Sequence, residues 1–258
     1  MMHIIYTSLT GRQGIPSFDK DREWLDFRIK FFERYTINSL LNQSESNFLH
    51  WISFKENTEQ DPLIKKLKRH LEKLNYNFVF TFGFQYPHRK HQTKEFKKEI
   101  PERLQKSLDA IKEYHSKQDY IYLTFLDSDD LFYKDVVQEI QSYDFKYKRA
   151  LCFSKGYIYN TKSGVLAQWN PDTCPPFSTI LYPANVFFDA KSHLEYRPGN
   201  VSHLTVPELF NVINLPGRKY VVGCHGKNST TTWRHSYRGP EYLDKEEKRD
   251  ILKDFKIN

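Results

Sequence analysis

The chain has 258 residues, with 39 lysines and arginines against 32 aspartates and glutamates for a formal net charge of +7, and 39% of it is hydrophobic. That is enough apolar material for a single α/β domain spanning 1–258, and no linker, repeat, low-complexity tract or apolar run near the roughly 20 residues of a membrane span interrupts it. The basic balance attracts phosphates of any kind and decides nothing alone, while three scattered cysteines (Cys152, Cys174 and Cys224) argue against a disulfide framework or a zinc site.

The start, Met1-Met-His-Ile-Ile-Tyr6, reads as a strand over His3 to Thr7 rather than a signal peptide, which makes the cytoplasm the expected compartment. A polar loop with Gly11, Gly14 and Pro16 follows, and then a helix on which Trp24, Phe27, Phe31 and Tyr35 recur at helical spacing as a core stripe. Phe48 to Phe54 is the second strand. Pro62 to Leu74 is a second helix with Leu63, Leu67, Leu71 and Leu74 on one face, and Asn77 to Phe84 is the third strand. The basic run His88-Arg-Lys-His91 through Lys94, Lys97 and Lys98 suits a solvated loop or a lip facing an anionic donor or membrane surface. Pro101 fits the first turn of a helix through Leu104, Leu108 and Ile111, which delivers the chain to a strand at Tyr120. Strands separated by helices imply a mainly parallel, Rossmann-like sheet whose ligands bind beyond the carboxyl ends of the strands. The later chain differs: Arg149 to Tyr159 and Val165 to Trp169 flank a turn as a hairpin, and short loop-rich segments follow.

The strand Tyr120-Ile-Tyr-Leu-Thr-Phe125 runs into Leu126-Asp-Ser-Asp-Asp130, three carboxylates within four positions. In an extended backbone Asp127 and Asp129 project together while Ser128 and Asp130 point away. Two carboxylates about 4 Å apart repel by roughly 4 kcal/mol at an effective dielectric near 20, so the cluster calls for a metal, a proton or basic partners. Oxygen ligands suit Mg²⁺ or Mn²⁺ shared with substrate phosphates. The plainer alternative is a helix beginning near Leu131 and capped by Asp129 or Asp130.

With these residues in view, the segment Arg22 to Gln43 followed by Asn47-Phe-Leu-His-Trp51 resembles the opening of the putative rhamnosyltransferase family of GT-A glycosyltransferases. Leu126-Asp-Ser-Asp-Asp130 is similar to that family's D-x-D box, and Val222-Gly-Cys-His-Gly-Lys-Asn-Ser-Thr-Thr-Thr-Trp233 to its C-terminal motif. Phe125 departs from it, standing where such boxes often carry arginine. The resemblance implies a GT-A-like α/β fold with a nucleotide-sugar-binding half, 1–130, and a mixed, loop-rich acceptor-binding half, 131–258. It also implies Asp127 at the donor ribose or a metal-bound water, Asp129 and Asp130 on Mn²⁺ or Mg²⁺, His225 completing the metal shell, and Lys227 beside the leaving diphosphate. Thr7, Ser8 and Arg12 after the first strand, and Glu56 and Asn57 after the second, are candidate nucleotide contacts.

An inverting transfer needs a base at the acceptor hydroxyl, for which Glu208, His203 and Asp189 are the candidates, although Pro207 at a helix start would make Glu208 an ordinary first-turn acid. The expected partners are a nucleotide-sugar donor, rhamnose being one option, and a glycan or glycoconjugate acceptor, with peripheral membrane contact and no nucleic acid. Two alternatives stand beside this: a metal-dependent phosphoryl or nucleotidyl transferase, which also needs clustered aspartates, and a basic nucleic-acid-binding protein.

Overall fold

The computed structural model describes residues 2–10, 22–86, 94–114, 117–143, 149–171, 177–198, 205–228, 233 and 243–257. Among them nine strands form one sheet, in the order β3-β2-β1-β4-β8-β6-β9-β5 with β7 paired to β6. The strands are β1 (Met2–Ser8), β2 (Leu49–Phe54), β3 (Phe78–Phe82), β4 (Tyr120–Phe125), β5 (Leu131–Phe132), β6 (Arg149–Asn160), β7 (Val165–Trp169), β8 (Ser178–Pro183) and β9 (Asn211–Cys224). The helices are α1 (Arg22–Phe31), α2 (Asn38–Leu41), α3 (Pro62–Lys73), α4 (Lys94–Lys112), α5 (Val136–Ser142), α6 (Ala184–Phe187), α7 (Ala190–Tyr196), α8 (Val206–Leu209) and α9 (Lys245–Asp254).

The first half is wholly parallel, β3, β2, β1 and β4 lying side by side with helical crossovers between them. Period-two alternation divides each strand between two cores. Ile4, Tyr6, Ile121 and Leu123 pack with Leu104, Leu108 and Ile111 of α4. Across the sheet, Ile52 and Phe54 pack with Ile29 of α1 and with Ile64, Leu67 and Leu71 of α3. The second half is mixed: β8 is antiparallel to both β4 and β6, β6 is parallel to β9, and β6 with β7 forms the expected hairpin.

Three local expectations change. The α1 stripe does not continue as one regular helix, because Phe32–Ile37 form a π-helical turn before α2. Pro101 lies inside α4, which begins at Lys94; the lysine-rich turn before it extends the helix, and the ring removes one donor from it. Leu131 opens the short strand β5, paired antiparallel with Tyr220 and Val221, and not a helix capped by the acidic cluster.

Candidate functional site

β4 ends at Phe125, and Leu126 N still donates to Tyr6 O at 3.0 Å, so the acidic cluster begins at the carboxyl edge of the parallel half. There the chain turns. Asp130 N donates to Asp127 O at 3.1 Å, which closes a four-residue turn and cancels the strand alternation expected across the cluster. Asp127 is half-buried, while Asp129 and Asp130 both point inward at 7% and 4% exposure.

Asp129 is the hub. Arg28 of α1 grips it with both ends of its fork, Nη1 to Oδ2 at 2.7 Å and Nη2 to Oδ1 at 3.1 Å, and Arg28 Nε donates to Ser128 Oγ at 2.8 Å. Asn228 Nδ2 adds a bond to Oδ2 at 3.0 Å. His225 Nε2 lies 3.1 Å from the same oxygen, and the Lys227 amide donates to His225 Nδ1 at 3.1 Å. An imidazole nitrogen that accepts an amide proton carries none itself, so the proton resides on Nε2 and is donated to Asp129. Asn228 Oδ1 also accepts from His225 N at 2.8 Å, which fixes the loop that carries the imidazole.

Burial alone would raise the Asp129 carboxyl, but the Arg28 charge and the hydrogen bonds from His225 and Arg28 outweigh it and hold the group at about 2. Arg28 is held more firmly protonated in return, its own burial being outweighed by Asp129. Asp130 goes the other way. Burial, then the charges of Asp129 and Asp127, push it well above the usual carboxylate range, although Gly223 N donates to its Oδ1 at 3.0 Å. Two neighbouring carboxyls thus sit in opposed environments, one ionised against arginine and one driven toward its neutral form.

The supports come from four elements. Thr36, in the π-helical turn, donates to Asp130 O at 2.9 Å. Thr7 of β1 is fully buried and donates to Leu126 O at 2.8 Å; its hydroxyl accepts from His50 Nε2 at 2.9 Å, whose Nδ1 in turn meets Tyr76 OH at 2.9 Å. Gly223 of β9 passes so close that a Cβ there would stand 2.0 Å from Asp129 O. Phe27 and Phe31 flank the His225 ring at 5.1 and 4.7 Å between centroids.

The sequence-derived candidates are distributed unevenly. Asp127, Asp129, Asp130, His225 and Lys227 do come together, and the Lys227 ammonium lies 4.9 Å over the Phe27 ring. His225 serves Asp129 as a hydrogen-bond donor in this arrangement. Thr7 is an interior buttress of the turn rather than an exposed polar group, because both its donor and its acceptor are used inside the sheet. Ser8 closes β1 opposite Ser53. Glu56 pairs with Arg103 of α4 at 2.7 Å, and Asn57 turns the chain at φ 63°. Asp189 caps α7 by accepting from Ser192 N at 2.8 Å, a bond that lowers its carboxyl, and it follows the end of β8 that pairs with Tyr120, the opposite edge from Asp127. Glu208 is exposed in the four-residue α8, before β9, whereas the acidic turn is held at the far end of that strand. Arg12 and His203 lie outside the described residues, as does the run His88 to His91.

Arg28, Asn228 and Gly223 carry no mark in a search for acids and histidines. Arg28 does have a signal: it stands four residues after Trp24, three before Phe31 and seven before Tyr35, so it is a base at the helical spacing of the aromatic stripe. Phe125 also gains a cation in space, since the Arg197 guanidinium lies 4.4 Å over its ring.

The donor chemistry of the turn, carboxylates with an imidazole, suits a hard divalent cation. As arranged, Asp129 accepts from Arg28, His225 and Asn228, and His225 Nε2 carries a proton in place of a lone pair. Among the described residues no three His, Cys, Asp or Glu side chains converge as a ready-made metal site.

A parallel first half with acids at its carboxyl edge, joined to a mixed second half, is the arrangement expected of a GT-A-like fold. The chain belongs to the family described as "Putative rhamnosyl transferase", whose model matches residues 17–236. Among solved structures it is similar to residues 1–349 of S. aureus TarS, alone and in complex with UDP, at 12% identity and TM-scores of 0.44 and 0.45, covering 86% of this chain and 60% of that one in each case. A nucleotide-diphospho-sugar transferase from Desulfovibrio desulfuricans, putative by its own description, is similar at 12% identity and a TM-score of 0.36 over 91% of this chain and 90% of that one. The chain thus spans about 60% of the TarS fragment's length. No curated protein matches it. No helix among the described residues is long and apolar enough to cross a membrane.

Proposed function

We propose that this protein transfers a sugar from a nucleotide-sugar donor to a hydroxyl of a glycan or glycoconjugate, with the donor diphosphate at the Asp127–Asp130 turn. The observation that carries this is the Asp129 hub itself. A carboxylate held at about 2 by Arg28, and bonded by His225 and Asn228, sits where the parallel half presents its strand ends, with the Lys227 ammonium 4.9 Å over the Phe27 ring that flanks His225. Family membership supports sugar transfer and makes rhamnose the first sugar to test.

Mg²⁺ or Mn²⁺ is proposed as the cofactor; Asp127 and Asp129 would hold it, and bound there it would offset the negative charge that builds on the departing diphosphate. The chain's own part is to aim these groups. Arg28 and Lys227 provide cationic donors for phosphate oxygens, and the Thr7–Leu126 and Gly223–Asp130 hydrogen bonds keep the turn from shifting as charge redistributes. The halves are proposed to divide donor from acceptor. His203 is retained as a base candidate from the sequence, whereas Glu208 precedes β9 with the acidic turn held at the far end of that strand, and the capping role of Asp189 gives its carboxylate an ordinary structural use.

A panel of nucleotide sugars, screened by thermal shift and then by transfer assay with Mn²⁺ or EDTA, tests the proposal. A donor present at a hundredfold its dissociation constant adds about 2.7 kcal/mol of stability. At least one nucleotide sugar is expected to stabilise the protein and to lose its sugar slowly to water when no acceptor is present. Binding of nucleoside triphosphates with no nucleotide sugar recognised would replace this proposal with a phosphoryl or nucleotidyl transferase.

A further inference from the structure

The outer edge of the parallel half carries a surface that the donor site does not use. β3 heads the strand order and, among the described residues, pairs with β2 alone. Its sequence, Phe78-Val-Phe-Thr-Phe82, sets the large rings on one face, where Phe78, Phe80 and Phe82 are only half-buried, while Val79 and Thr81 on the other face are sealed. An edge strand commonly guards itself with charge or proline, and β3 has neither. The charge lies beside it. α3 packs Ile64, Leu67 and Leu71 onto the same side of the sheet and turns Lys65, Lys66, Lys68, Arg69 and Lys73 to solvent against the single acid Glu72, which gives this helix +4 of the chain's +7. Cations of other helices are answered within their own helix, as in Lys30–Asp26, Lys106–Glu102 and Arg249–Glu246. Among the described residues none of the five on α3 is in an ion pair: Lys65 bonds the neutral Gln60, and Lys66 acts on Glu33 without touching it. Leu74, just past the last turn, is 41% exposed.

We propose that α3 and the outer edge of β3 form a docking surface for an anionic lipid bilayer. Cations set beside partly exposed aromatic and leucine side chains suit the headgroup region, where lysine and arginine meet lipid phosphates and the apolar groups enter the acyl boundary. The rings argue against nucleic acid. Bases stack on open aromatic faces, whereas Phe82 is already stacked on Phe54 at 5.3 Å, and Phe80 is packed against Phe54 and Phe78 at 4.7 and 4.9 Å. Symmetry argues against a second copy of the chain, because a twofold contact of β3 with itself would also bring the two basic helices side by side, five cations against five. The surface lies three strand spacings, about 14 Å, from β4, so lipid bound there leaves the acidic turn open. It stands apart from the donor reading and requires no sugar chemistry.

Co-sedimentation with vesicles tests it. The full chain is expected to pellet with vesicles of phosphatidylglycerol and phosphatidylcholine in equal parts, to stay largely in solution with phosphatidylcholine alone, and to be released as salt shortens the reach of the charges. Each cation removed should weaken the partition about fivefold, so the triple variant Lys65→Gln, Lys68→Gln, Arg69→Gln should lose about a hundredfold. Those side chains are exposed, and the thermal unfolding of the variant without vesicles should match the wild type. Leu74→Asn keeps every charge and should also weaken binding to the mixed vesicles, which a purely electrostatic attraction would not do. Equal pelleting with the two vesicle types, or a triple variant that pellets as the wild type does, would overturn the proposal. So would tighter binding to a DNA or RNA duplex than to the mixed vesicles, with Leu74→Asn unaffected, which would make α3 a nucleic-acid surface. A concentration-dependent dimer that the triple variant strengthens would likewise assign the β3 edge to self-association and overturn it.

Discussion

At Asp129 the crowding of three acids in four positions suggests mutual repulsion, and on that basis removal of one acid would relieve the fold. The Arg28 fork reverses the expectation. Asp129→Ala leaves a guanidinium of 14% side-chain exposure facing His225 and Ser128 with its counter-charge gone, and breaking a buried pair from one side typically costs about 3–5 kcal/mol. The residual exposure of Arg28 places the expected loss at the lower end of that range. Urea unfolding at neutral pH should show the drop, together with abolished transfer. Asp130→Asn should behave differently, because burial already drives that carboxyl toward its neutral form and the asparagine oxygen can still accept from Gly223 N. A stability loss in Asp130→Asn as large as in Asp129→Ala would contradict the opposed charge states assigned to the two residues.

At the level of elements, the site depends on how closely β9 passes the acidic turn. Gly223 lies in ordinary strand, so its requirement is spatial: a methyl group there would stand 2.0 Å from Asp129 O and 3.3 Å from the Phe31 ring, and one of those contacts is backbone. Gly223→Ala must therefore push the turn off β9 and break the Gly223–Asp130 bond. Overpacking of this kind costs about 1–3 kcal/mol, and displacement of the turn by about 1 Å is enough to lower transfer on the order of a hundredfold. Denaturation and steady-state rates on the same preparation check it, and a variant with wild-type turnover would show the approach to be looser than the distances state. The same contact explains what the sequence could and could not disclose. β1 to β4 and their helices were legible because period-two and helical patterns are local, and the acidic box was legible because it follows a strand. The order β8-β6-β9-β5, the passage of Gly223 over Asp129 and the union of Arg28 with Asn228 are set by long-range pairing. Arg28 left a local trace, as a base at the spacing of the aromatic stripe, but Arg34 shares that spacing and lies over the Tyr35 ring, so the pattern did not single Arg28 out. The turn at Asp127–Asp130 was hidden for the opposite reason: a strand pattern says where alternation begins and not where an i to i+3 bond ends it.

For the molecule as a whole, three histidines are sealed inside the fold far apart in the chain, and together they set its response to acid. His3 bonds Thr124, His50 bonds Thr7 and Tyr76, and His193 bonds the Phe187 carbonyl and Tyr86. Burial lowers each of them from 6.5 to about 3. A base whose pKa is depressed in the native state stays neutral there while its unfolded counterpart takes up a proton. Its stabilising contribution is thus complete above pH 6.5 and is lost as the pH falls toward 3. Each histidine removes roughly 1.4 kcal/mol per pH unit through that window, and the net charge of +7 grows more positive over the same range, adding repulsion. Asp130 and Glu33 oppose them, since a carboxyl raised by burial favours the native state on the acid side, but they are two carboxyls against three imidazoles. Asp129, held at about 2, acts only below the ordinary carboxylate range and then in the same direction as the histidines. The expected outcome is a urea midpoint that falls steeply between pH 6.5 and 5, while far-ultraviolet circular dichroism at the two pH values stays the same before denaturant is added. His3→Gln, which keeps a polar partner for Thr124, should be less stable than the wild type at pH 7 and lose about a third of the pH slope. A midpoint that stays level from pH 7 to pH 5 in the wild type would mean that these imidazoles accept protons without unfolding, and that the interior around β1, β2 and α7 is open to water.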